Sequence, residues 1–224
     1  VADIVKPFEF RQCTIILKST GKRARNLKEL RNLIGAVSDE SLFHHIYHYF
    51  LKGHILEYTN DFAQWAGESL EERALAERLS SLDPYVFAGL GDLRKAFRGV
   101  IDDYLTNFPE PRDVMPGDEF DANETVTFVF PAGVRAHNLA EFLMAMKYID
   151  PGSIFYHFFD ARVRLGPRTD DFSSWVTTAL GKKELAGRIK AIDPFMHDLE
   201  GIRQHIIEEI EAEVRKDMEV PGDA

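Results

Sequence analysis

The chain has 224 residues, 45% hydrophobic and 29% charged, which suits one large domain or two of about 110 residues with buried cores. Its 27 Lys and Arg against 37 Asp and Glu give a net charge of −10. An acidic chain offers no basic footprint for displacing counterions from nucleic acid or for gripping an anionic membrane, so both are excluded as general modes.

The first apolar stretch, Cys13–Leu17, is β-branched and suggests a short strand, although so short a run also suits a helix. Cys13 is the lone cysteine, which excludes an intrachain disulfide and a cysteine-built zinc site. A Gly-x-Arg-Ala-x-Asn loop, Gly21 to Asn26, precedes a helix over 26–36, with Asn26 as N-cap and Leu27, Leu30, Leu33 and Ile34 at helical spacing. The next helix starts at Ser38 and carries Phe43 and His45. Asn60-Asp61 offers capping oxygens to a helix bearing Phe62 and Trp65, and Leu75, Ala76 and Leu79 continue an apolar face. Asp83-Pro84 pairs a cap with a first-turn proline. A helix at 91–105 follows, with Leu93, Phe97, Ile101 and Leu105 on one stripe. Thr106–Ala122 carries Pro109, Pro111 and Pro116 and five acids against one base, the composition of an extended linker. Beyond it the same signals return: an apolar run Val126–Phe130, Asn138 before a helix, Asp150-Pro151, Asp170-Asp171 before Phe172 and Trp175, Asp193-Pro194, and a helix at 199–215.

That return is a measurable repeat. At a shift of 112, nine of the 25 positions from 21 to 45 are identical, among them Gly21/Gly133, Arg23/Arg135, Asn26/Asn138, Ser41/Ser153 and His45/His157. At a shift of 110, nine of the 26 positions from 60 to 85 are identical, including Asp61/Asp171 and Trp65/Trp175. Chance predicts roughly one in 16. The expected organisation is a first helical repeat over 1–105, a linker over 106–122 and a second helical repeat over 123–224. The fold class is mainly α, with two pseudo-equivalent repeats, each opened by one short strand. The two strands are expected to pair across an approximate two-fold.

The runs Gly21–Asn26, Phe43-His-His45, Asn60-Asp-Phe-Ala-Gln-Trp65, Leu75-Ala-Glu-Arg78, Ser153-Ile-Phe-Tyr-His157, Ala161-Arg-Val-Arg-Leu-Gly166 and Asp171-Phe-Ser-Ser-Trp175 resemble an uncharacterised bacterial family of unknown function with the same doubled pattern. The resemblance covers nearly the whole chain. It implies the doubled organisation and brings no reaction with it.

The candidate ligand-binding residues are Arg23, Asn26, His45, Asp61, Arg135, Asn138, His157, Arg162 and Asp171. Arg23 and Arg135 precede helix starts, where free N–H groups favour anions, and Arg23 lies in a basic cluster with Lys18, Lys22, Arg25, Lys28 and Arg31. The plainer reading is that both arginines pin their loops, for example by pairing with Asp61 and Asp171. His45 and His157 flank an apolar face and read first as boundary histidines bonded to a carbonyl or carboxylate, then as ligand-binding or proton-transfer groups. His44 and His48 have the i, i+4 spacing of a metal pair but fall off the apolar face, so surface histidines are expected there, as for His54. Arg162 falls near the centre of an apolar face. Either it snorkels outward or it pairs while buried, with Asp170 or Asp171 as partner. Trp65 and Trp175 read as core rather than as sugar platforms. Asp61, Asp171, Asp83 and Asp193 read as N-caps rather than as a glycosidase pair.

No catalytic set, metal set, phosphate loop or cofactor signature emerges. No secretory signal stands at Val1 and no apolar run reaches the about 18 residues of a membrane span, so a soluble, cytoplasmic protein is expected. The favoured reading is a non-catalytic binding or regulatory module, its partner unknown. One alternative is a small enzyme acting on a phosphorylated or sugar-related metabolite at a cleft between the repeats. Another is a homo-oligomeric interaction scaffold.

Overall fold

The computed structural model describes residues 6–47, 57–165, 169–194 and 196–219. The chain is mainly helical, with one two-stranded antiparallel sheet made by β1 (Phe8–Ala24) and β2 (Phe120–Ala136). Among the described residues no helix is long and apolar enough to cross a membrane. The chain forms two compact units, one from residues up to Thr14 together with Phe128 onward, the other from Ile15–Thr127. Each strand therefore contributes a segment to both units.

Both strands are far longer than the apolar runs Cys13–Leu17 and Val126–Phe130 indicated. The reason is that ladder hydrogen bonds extend a paired ribbon whatever its side chains. The apolar runs lie in its exposed middle, with Ile16, Leu17 and Phe128 more than half exposed, while the anchors Phe8, Phe10, Phe120 and Ala122 lie at the buried ends. The Gly21–Ala24 stretch expected as a loop lies inside β1. Gly21 and its counterpart Gly133 take positive φ angles of 71° and 74° there, which glycine adopts at little cost.

The 15–127 unit holds α1 (Leu27–Ala36), α2 (Asp39–Tyr47), α3 (Asp61–Glu68), α4 (Arg73–Ser80) and α5 (Leu90–Asn107). Asn26 caps α1 by accepting the N–H of Glu29, and the Glu29 carboxylate accepts the N–H of Arg25 in return. The buried faces of these helices close over Leu30, Ile34, Phe62, Leu75, Leu79, Phe97 and Ile101. Arg94 on α5 donates to the carbonyls of Ile34 and Val37, satisfying the open C-terminus of α1. The 106–122 segment is pinned rather than loose. Its first two residues finish α5 and its last three begin β2. Between them Val114 N–H donates to Arg25 O, and Arg112 donates to Leu70 O.

The other unit holds α6 (Leu139–Tyr148), α7 (Pro151–Ile154), a π-helical turn over Phe155–Asp160, α8 (Ala161–Leu165), α9 (Asp171–Thr178), α10 (Lys183–Ala191) and α11 (Leu199–Glu219). Asn138 caps α6 through the N–H of Glu141, and Glu141 accepts the N–H of His137. Arg203 on α11 donates to the carbonyls of Met146 and Ile149 at the end of α6. Phe8 and Phe10 insert among Phe142, Phe172 and Trp175, with ring centroids 5.2–6.3 Å apart in the pairs joining Phe142 or Phe172 to these residues. Burying each phenylalanine contributes about 1.5–3 kcal/mol.

Candidate functional site

In an antiparallel ladder the N–H and C=O of one residue point the same way. At Arg11 of β1 both point to the helix that follows α6. Its N–H donates to Nε2 of His157 (2.8 Å), and its carbonyl accepts from Oγ of Ser153 (2.5 Å). Ser153 and His157 are one helical turn apart, so two side chains of one helix grip both polar groups of one strand residue. In the 15–127 unit, Ser41 and His45 grip Asn123 in the same manner, with Oγ 2.7 Å from its carbonyl oxygen and Nε2 3.0 Å from its N–H. The gripped residues differ in type because only backbone is read. All four gripping side chains are buried. The grip also caps the outer edge of each strand, which would otherwise be open to pairing.

A carboxylate completes each clamp. Nδ1 of His157 lies 2.8 Å from Oδ2 of Asp171, and Nδ1 of His45 lies 2.9 Å from Oδ2 of Asp61. Since Nε2 accepts a backbone N–H, the proton of each neutral ring sits on Nδ1 and is donated to the aspartate. The expected capping role of Asp61 and Asp171 is therefore corrected. The caps of α3 and α9 are Asn60, accepting from Ala63 N–H, and Asp170, accepting from Ser173 N–H. One step along the chain, the side chains of Asp61 and Asp171 turn to the histidines instead.

Arg164 joins the His157 corner, bonding Asp160 (2.5 Å) and Oδ2 of Asp171 (3.0 Å) and lying 4.5 Å from the Tyr156 ring centroid. Burial pushes the Asp171 carboxyl up, but the His157 hydrogen bond and Arg164 together bring it below its ordinary value. Burial lowers the His157 ring, outweighing the pull of Asp171, and Arg164 and Arg11 lower it further. Burial raises Asp160 against the effect of Arg164.

The other clamp has His44 beside it, ring to ring at 4.8 Å. His44 is buried, not on the surface as expected, because α2 turns that flank inward. His48 and His54 lie outside the described residues. His44, His45 and Asp61 bring their ligand atoms within 4.8 Å of one another. A metal on His45 would have to displace either the Asp61 bond or the Asn123 N–H, so the ring is already committed.

Ser, His and Asp are the residue types of a hydrolase triad, but their arrangement differs. A general base must present a free Nε2 lone pair to the nucleophile, and here that lone pair holds a backbone N–H. Cys13 offers no substitute nucleophile. Its thiol bonds the Gly152 carbonyl, and its pKa is pushed up to about 12 by burial, with Asp160 and Asp150 adding to the rise. Gly152 is needed where α7 meets β1, since a Cβ there would lie 2.6 Å from the Cys13 carbonyl oxygen.

The remaining candidates scatter. Arg23 pairs with Asp121 (2.5 Å) and Arg135 with Glu9 (2.9 Å), both as exposed pairs between the strands, not with Asp61 and Asp171 as expected. The difference follows from their place inside strands, where the neighbouring strand supplies the nearest acid. Most of the basic cluster is paired with acids: Lys18 with Glu124, Arg25 with Glu29, Lys28 with Glu110 and Arg31 with Asp102. Lys22 bonds the Ala36 carbonyl. Asn26 and Asn138 are spent on capping. Arg162 is buried rather than snorkelling outward. Its guanidinium reaches the carbonyls of Lys190 and Ile192 at 3.3 and 3.4 Å and lies 4.0 Å over the Phe158 ring. Its charge also acts on Asp170, whose carboxyl burial pushes up.

The tryptophans are largely buried, as expected of core residues, and also tie down the strand starts. Trp175 Nε1 donates to Lys6 O (2.8 Å) and Trp65 Nε1 to Asp118 O (2.7 Å). The residues missed by sequence reasoning are Ser41 and Ser153. Their signal was the Ser-x3-His spacing, one helical turn, present in both places.

Among curated proteins no sequence matches this chain significantly. A solved structure, that of OrfY from Thermoproteus tenax, is similar at 34% identity, covering 92% of this chain and 95% of that one with a TM-score of 0.77. A family model described as a family of unknown function, DUF5752, matches residues 5–211. The chain belongs to that family.

Proposed function

We propose that the chain is a non-catalytic binding or regulatory module. One observation carries this: the two histidines best placed for chemistry spend both ring nitrogens on an aspartate and a strand amide. The ion pairs around Arg23 tell in the same direction, since they match five of the six cationic side chains there with acids and Lys22 is held on the Ala36 carbonyl. We read the architecture as doubled, on the support of the matching clamps, the Asn26 and Asn138 caps and the Trp65 and Trp175 ties. A reducing cytoplasm suits the lone, half-buried thiol of Cys13.

The test is a panel of chromogenic esters, phosphates and glycosides, with wild type and the His45→Gln and His157→Gln variants. The expected result is no turnover above buffer for any of them. Turnover by wild type that either variant abolishes overturns the reading.

A second reading, a homo-oligomeric scaffold, is favoured by Phe128, Val129 and Phe130. These are consecutive residues of β2 with 53%, 40% and 39% exposure. Exposed apolar surface of this kind is a common mark of an association site. Light scattering over a concentration series tests it. A monomer at every concentration removes it.

A further inference from the structure

We propose that the clamp on Arg11 is a proton-operated latch: a proton gained at Nε2 of His157 releases the Arg11 amide and loosens the Phe8–Thr14 end of β1 while its helices stay folded. The inference rests on the clamp geometry and does not depend on whether the chain binds a ligand.

The lone pair of Nε2 is the only acceptor a neutral imidazole can offer there, and the Arg11 N–H occupies it at 2.8 Å. A proton on Nε2 turns that acceptor into a donor. Two N–H groups then face each other, and the bond is replaced by repulsion. The Nδ1–H bond to Asp171 survives and strengthens, because the ring is now a cation beside a carboxylate. The ring therefore stays in place and the strand gives way.

The groups around the ring set the balance. Asp171 of α9 and Asp160 of the π turn favour the proton. Arg164 of α8 and Arg11 of β1 oppose it. Phe8 and Phe10 of β1, Phe172 of α9 and the neighbouring Tyr156 pack their rings around it and offer it no charge at neutral pH. His157 is 4% exposed, so the cation is costly while the strand is docked. Lifting the strand admits water and removes that cost. Burial already holds the ring below its ordinary range, so the latch is closed at neutral pH and opens in acid.

The test is residue-level amide exchange on the full chain, corrected for intrinsic rates, from about pH 7.5 down to about pH 4, a span that starts above an ordinary histidine and reaches well below it. In wild type the protection of the Arg11 amide is expected to fall about tenfold relative to that of Ile206 in α11. In His157→Gln, whose amide oxygen accepts the N–H without titrating, the fall is expected to stay below about threefold. In wild type the midpoint must also coincide with that of the His157 ring-nitrogen shifts, a comparison that needs no variant. Arg11 protection that is flat, falls equally in both proteins, falls only together with that of Ile206, or follows a different midpoint overturns the latch.

Discussion

His157 and Arg164 share one carboxylate oxygen, Oδ2 of Asp171, at 2.8 and 3.0 Å. Burial is the main reason the His157 ring sits low, and the Arg164 charge adds to it. Arg164→Met removes that charge while keeping a stem of similar reach. The His157 titration, followed by ring NMR shifts, is expected to move to higher pH. A midpoint that stays put or falls shows that the Arg164 charge does not hold the ring low.

Ser41 and Ser153 are fully buried, and each donates to a strand carbonyl. Replacing either by alanine removes a donor and leaves that carbonyl to find water or go unpaired. A loss of about 1–3 kcal/mol is expected for each. Urea denaturation read by tryptophan fluorescence measures it, since Trp65 and Trp175 each tie down one of the strands. Stability equal to wild type in both variants means that the serines do not hold the strands.

Asp171 makes a pH prediction with a definite sign. Its carboxyl is held below its ordinary 3.8 in the folded chain, against burial, by His157 and Arg164. Its stabilising contribution is therefore complete above about pH 3.8 and is lost as pH falls through the lower folded value. Asp171→Asn is expected to melt below wild type at pH 7, and the gap is expected to close only beneath about pH 3.8. Thermal melts from pH 7 to about pH 3 check this. A gap that closes on the alkaline side of that window removes Asp171 as its source.

Local features were legible in the sequence and long-range ones were not. Asn26 and Asn138 were readable as caps because a cap and its N–H lie three residues apart. Trp65 and Trp175 were readable as core from helical spacing, but their bonds to Asp118 and Lys6 join residues 53 and 169 positions apart. The length of β1 and β2 was hidden because the ladder, not apolar content, extends them. Asp61 and Asp171 look like caps beside Asn60 and Asp170. Only the fold shows that the first of each pair caps and the second orients a histidine. The basic cluster around Arg23 looked like an anion site because its acids, Glu110, Asp102, Asp121 and Glu124, come from distant parts of the sequence.

Arg162 and Asp170 carry the sharpest stability prediction. Arg162 is 4% exposed and Asp170 fully buried, and the Arg162 charge acts on Asp170 against the effect of burial. Arg162→Met removes that compensating charge together with the donor to the Lys190 and Ile192 carbonyls, and losing the donor to a buried acceptor typically costs about 1–3 kcal/mol. Asn60 holds the equivalent cap in α3 as a neutral amide, accepting Ala63 N–H and donating to Leu79 O. Asp170→Asn is therefore expected to keep the α9 cap while removing the buried charge. Combined with Arg162→Met it should recover a large share of the loss. The double-mutant cycle, measured at pH 7, reads the coupling directly. If Arg162→Met is as stable as wild type, or the two losses simply add, the residues are not coupled.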